Sequence, residues 1–308
     1  MVAEVFLFLY GINFSFFTYK IMKELFSNSS VIAKLLVLLG ISLISAVFFT
    51  VIFGLIAGTD ISNAMTLRVL QSAQTIGAFL VPSFVLAYIY STDSLQFLYL
   101  KKTTKGTNYL YVVLLTLAVI PLINLLGDLN SHLVLPEWLS GVETWMKATE
   151  QQTEELMLRM LNVETVNGLC LNILVIALLP AIGEELMFRG ALMRIFQHWK
   201  NKHVAVWVAA IIFSAIHFQF YGFLPRMVLG ACFGYMLLWT GSLLPAIVAH
   251  FLNNAVIIIV YYLNHNGFIG IDADSLGSGS TWWVGIISGA IALLLLVLMK
   301  KKQALSDE

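Results

Sequence analysis

The charges divide this chain into segments. Between Lys34 and Asp60 lie 25 consecutive residues without Asp, Glu, Lys or Arg, and similar intervals run from Arg68 to Asp93, Lys105 to Asp128, Glu164 to Glu184, Lys202 to Arg226 and Asp274 to Lys300. An uncompensated charge is expensive in hydrocarbon and a helix needs about 20 apolar residues to cross it, so each interval reads as a crossing. The interval from Arg226 to Asp272 is 45 residues long and holds two, with Thr240-Gly241-Ser242 as the turn between them. The expected fold is an all-α polytopic membrane protein, a bundle of eight transmembrane helices. Residues 5–19 are apolar but short and interrupted by Gly11 and Asn13; they add a membrane-associated helix, lying in the interface or spanning with help from neighbours. They lack the basic start and small-residue cleavage site of a secretory signal.

Composition supports this division. The chain is 59% hydrophobic and only 11% charged, about half the charged share of a soluble domain. Its 17 basic and 17 acidic residues cancel, which leaves no basic field for nucleic acid and no charge excess to keep a chain disordered. Cys170 and Cys232 sit inside apolar runs, where a thiol behaves as a small hydrophobe.

The order along the chain is an apolar or interfacial segment (1–30), helices 1–3 (31–130), an acidic amphipathic segment (131–168), helices 4–7 (169–263) and helix 8 (275–302). Lys20, Lys23 and Lys34 precede helix 1, Lys101, Lys102 and Lys105 follow helix 2, Arg194, Lys200 and Lys202 follow helix 4, and Lys300–Lys302 follow helix 8. Eight crossings put all four clusters on one side, cytoplasmic by the positive-inside rule, so the carboxyl terminus is expected in the cytoplasm of a bacterial inner membrane protein. Asp128 to Glu164 carries seven acidic and two basic residues and falls on the opposite side, with helical apolar spacing from Glu143 to Leu161 that suits a surface helix.

Three places put polar groups where lipid selects against them. Helix 4 carries Glu184, Glu185 and Arg189, helix 5 carries Phe213 and His217, and helix 7 carries His250, Asn253 and Asn254. Glu185 and Arg189 are i and i+4 with the acid first, the favourable order for an ion pair. Glu184 is rotated about 100° away and needs a partner from another helix. It lies as far before the turn near Lys200 and Asn201 as His217 lies after it, so the two come level in an antiparallel hairpin. His250, nine residues past Gly241, reaches a similar depth, roughly 13 Å at 1.5 Å per residue. Glu184, His217, His250 and Asn254 thus form a candidate buried cluster. A shielded carboxylate beside an imidazole can take a proton from water. A second imidazole and a carboxamide can hydrogen-bond an oxyanion. Ser214 is the one hydroxyl to check as a nucleophile, although no Ser-His-Asp pattern is present.

Glu-Glu-x-x-x-Arg (Glu184, Glu185, Arg189), Phe-x-x-x-His (Phe213, His217) and His-x-x-x-Asn (His250, Asn254), in that order on membrane helices, resemble the motifs of the CPBP intramembrane proteases. That family contains the CAAX prenyl endoproteases and bacterial relatives linked to bacteriocin processing and self-immunity. The resemblance covers about residues 169 to 263. It implies an endopeptidase that cleaves a membrane-associated protein or peptide: Glu184 activating water with His217, His250 and Asn254 holding that water or stabilising the oxyanion, and Glu185, Arg189 and Phe213 supporting the site. The family has been described both as metalloproteases and as metal-independent glutamate proteases. Glu184, His217 and His250 would suit zinc with a fourth position open for water; the His-Glu-x-x-His helix of the zincins is absent. A glutamate mechanism without a cofactor is the favoured expectation, and metal stays open.

Two other functions suit the same residues, a proton-coupled transporter and a non-catalytic membrane scaffold or immunity protein. Asn253 is expected in a helix–helix hydrogen bond and Gly230-x-x-x-Gly234 on a close-packing face. Arg226 is expected to meet lipid headgroups, with a substrate carboxylate as the other reading, and Trp199, Trp282 and Trp283 to anchor at the interface. Substrate and oligomeric state are not encoded in any motif.

Overall fold

A computed structural model describes Lys23 and residues 28–197, 201–270 and 275–307. The amino-terminal segment and the turn residues His198, Trp199 and Lys200 lie outside the described residues, as do Asp272 and Asp274. Among the described residues nine principal helices follow in order: α1 (Val31–Ala57), α2 (Ala64–Tyr90), α3 (Gly106–Ser131), α4 (Ser140–Leu161), α5 (Val166–Gln197), α6 (Lys202–Ala215), α7 (Phe223–Thr240), α8 (Leu244–His265) and α9 (Trp282–Asp307). Seven of them are long and apolar enough to cross a membrane. The eighth expected crossing, α6, is apolar but stops after 14 residues. The protein is an integral multi-pass membrane protein.

Local chemistry sets the helix ends. Side-chain oxygens of Ser30, Asn63, Thr165 and Asn201 accept from backbone N–H groups in the first turns of α1, α2, α5 and α6, satisfying donors that a helix start leaves open. Gly241, at φ 67°, closes α7 with its N–H on Leu237 O, a left-handed position that favours glycine. Pro245 then opens α8 where its missing N–H costs nothing.

Helix α5 crosses the centre of the bundle, packed against α2, α6 and α8. It departs twice from α-helical winding, at Ile173–Leu178 and Leu186–Leu192, where π turns flank Pro180 and the two glutamates. Such turns widen the helix locally and re-aim side chains. A core including Leu86, Leu186, Met193, Ala209 and Phe213 joins α2, α5 and α6, while Val112, Val119, Met236 and Ala249 join α3 to α7 and α8. The expected glycine pair works as packing: a Cβ at Gly234 would come within 2.9 Å of Val206, and one at Gly230 within 3.1 Å of Phe213, both on α6.

The two ends of the bundle differ in charge. At one, Arg194 lies over Phe97 and Tyr99, Lys34 over Tyr90, Lys300 over Trp239 and Lys302 over Tyr111. At the other, α4 lies across the helices. Arg68 on α2 donates to Met160 O and to Asn172 Oδ1, and Asn172 donates to Met160 O, so three elements meet on one carbonyl. The expected amphipathic helix is therefore present and tied into the bundle. Trp282 and Trp283 stand exposed at the start of α9.

Candidate functional site

The break after α6 shapes the site. The uncharged interval from Lys202 to Arg226 reads as one crossing, yet α6 ends at Ala215, about 21 Å long at 1.5 Å per residue. His217 thus lies just beyond its helix and not within it, and Phe218 takes a positive φ of 53°. Non-helical backbone at membrane depth must find partners inside the protein. Ser214 Oγ donates to Phe223 O (2.7 Å), Asn130 of α3 bonds both Phe220 O (2.7 Å) and Leu224 N (3.1 Å), and Glu150 of α4 accepts from Tyr221 N (3.1 Å). Ser214 is therefore committed to the backbone and is not paired with a histidine.

Beside this break is a cavity of about 440 Å³. Its wall includes Glu184, His217, His250 and Asn254, so the structure gathers all four candidate residues from α5, α8 and the segment after α6. Glu184 Oε2 lies 3.9 Å from His217 Nε2 and 3.8 Å from His250 Nε2. The other ring nitrogens are anchored. His217 Nδ1 is 2.7 Å from Phe213 O, an acceptor only, so Nδ1 carries the proton and Nε2 faces Glu184. His250 Nδ1 is 2.9 Å from Glu185 Oε1.

Glu185 and Arg189 form the expected ion pair, Nη1 to Oε1 at 2.7 Å, with side chains 0% and 1% exposed. Arg189 also donates to Gly230 O (2.8 Å), and its guanidinium lies over Phe213 (4.5 Å) and Phe233 (5.3 Å). Phe233 stacks on His250 at 5.2 Å, and Phe213 meets His217 edge-on at 5.1 Å. Glu185 is more than a partner for arginine: it joins the ion pair to an imidazole 65 positions away. That link and Phe233 were not visible in any spacing, because both depend on how α5, α7 and α8 meet.

Two expectations change. Among the described residues Asn253 makes no helix–helix bond; its Nδ2 donates to Asn254 Oδ1 (3.3 Å) and it lines the cavity. Arg226 lines the cavity, held by Gln219 O (3.3 Å) and Gln219 Oε1 (2.5 Å). Glu184, His217 and His250 are the donors a zinc ion would use. Among the described residues no three His, Cys, Asp or Glu side chains are grouped so as to hold a metal ion.

The fold and site define a class: a polytopic helical membrane protein with a carboxylate–imidazole centre inside the bundle. Residues 166–256, which carry that centre, match the family model of type II CAAX prenyl endopeptidases, Rce1-like. The chain is also 34% identical over 89 residues to the uncharacterized protein YpbD of Bacillus subtilis (strain 168). That alignment covers 28% of this chain, which spans 43% of the relative's length. No solved structure matches.

Proposed function

We propose that the protein is an intramembrane endopeptidase that hydrolyses a peptide bond of a membrane-associated protein or peptide, with the basic end of the bundle and the carboxyl terminus in the cytoplasm. The observation that carries this reading is Glu184 Oε2 set 3.9 and 3.8 Å from two imidazole Nε2 atoms in one cavity. Those separations are too long for direct hydrogen bonds and suit a bridging water.

Glu184 takes a proton from that water as its oxygen attacks the carbonyl carbon, with the His217 lone pair orienting the second hydrogen. Asn254 Oδ1 is occupied by Asn253, which leaves its N–H groups for the cavity, where they donate to the tetrahedral oxyanion; His250 lines the same wall. When the C–N bond breaks, Glu184 passes its proton to the leaving amine. Glu185 acts through His250 as a positioning residue.

Glu184→Gln keeps size and removes the base. Cleavage is expected to fall by about 10² or more, the range for loss of a general base. Comparing new peptide termini in membrane fractions from cells with the native and Glu184→Gln proteins tests this and names substrates. Termini that persist in the variant overturn the assignment. A proton-coupled transporter would instead change its pH dependence, and a scaffold would keep its phenotype.

A further inference from the structure

We infer that Arg226, seated by Gln219 and Gly222, is an anchor for a carboxylate of the peptide that occupies the cavity. The inference rests on the protease reading only for the ligand being a peptide. Arg226 is half-buried at the cavity wall. A guanidinium has five N–H donors. One from each terminal nitrogen goes to Gln219, a neutral residue whose carbonyl and amide oxygens orient the cation without cancelling its charge. Among the described residues no carboxylate lies within ion-pair distance of Arg226. Glu150 and Glu184 attract it only from farther away, and Glu150 is already bonded to Tyr221 N.

Arg189 has a carboxylate at 2.7 Å. Arg68, like Arg226, has a carbonyl and a carboxamide oxygen, at 2.6 and 2.8 Å, but the cavity wall includes Arg226 and not Arg68. A cation on the wall of a cavity inside a membrane bundle, without an anion at contact, favours a ligand that supplies one. The seat is also built to fit: a Cβ at Gly222 would come within 2.9 Å of Arg226 Nη2. Glycine there leaves room for the fork, whose planar shape suits a carboxylate. Because Glu184 lines the same cavity, a carboxylate held by Arg226 sets which peptide bond comes to the water.

The test is binding to the full-length Glu184→Gln protein in detergent. The probe is one fluorescent apolar hexapeptide made as the free acid, as the carboxyl-terminal amide, and as the amide with one internal glutamate. A form carrying a carboxylate is expected to bind about tenfold or more tighter than the plain amide, the effect of a charge-assisted hydrogen bond. Whichever form it is distinguishes a chain terminus from an acidic side chain. The preference should disappear with Arg226→Gln added and shrink with Gly222→Ala, which moves the guanidinium but leaves it present; Arg226→Lys should retain part of it. Equal or absent binding of all three forms overturns the anchor, as does a preference that survives Arg226→Gln. Lack of cleavage by the native protein would remove the protease reading alone, since the binding preference is measured without turnover.

Discussion

Helices α1 and α5 are both long and apolar, and they satisfy the membrane in opposite ways. In α1, Ile44, Val47, Leu55 and Ile56 point outward, and the buried residues are Leu38, Ser42 and Ser45. In α5, Glu184, Glu185 and Arg189 are buried in a run where most neighbours are buried too. Lipid is an adequate partner for the first surface. For the second, every partner comes from protein: Gly230, Phe213, Phe233 and two histidines. Apolar content therefore tells where a helix can lie, whereas the company its polar residues keep tells what it does.

The largest expected effect on stability breaks the second surface. Arg189→Ala leaves Glu185 buried with its main counter-charge gone, which should cost about 3–5 kcal/mol, read as a lower melting temperature of the purified protein. A smaller effect is expected where α1 touches the bundle. Ser45 Oγ bonds Gly77 O, and a Cβ at Gly77 would come within 2.6 Å of Ser45 O. Gly77→Ala should therefore force α1 and α2 apart at a cost of about 1–3 kcal/mol in the same assay. The smallest belongs to the lipid face: Ile44 is 74% exposed, and Ile44→Ala should stay within about 0.5 kcal/mol of native. A loss at Ile44 equal to that at Gly77 would mean that a protein surface covers α1, and the contrast between the helices would fail.

Much of this was legible from residues alone. Charge-free intervals located the crossings because the cost of a buried charge is nearly independent of neighbours. The Glu185–Arg189 pair follows from helix periodicity, and the level match of Glu184 with His217 from counting to the turn between α5 and α6. The premature end of α6 was hidden, since Ala215 to Phe218 contain neither glycine nor proline and the interval stays uncharged up to Arg226. The place of Arg226 on the cavity wall was lost with it. The bond from Glu185 to His250 depends on how α5 and α8 meet, which no local pattern records.

The two imidazoles are steered by different kinds of atom. The ring of His217 leans on the carbonyl of Phe213, a main-chain group present whatever side chain occupies that position. The ring of His250 leans on the carboxylate of Glu185, which one codon can remove. The tautomer of His217 is thus inherited with the helix, and evolutionary tuning of the pair has to pass through the other ring.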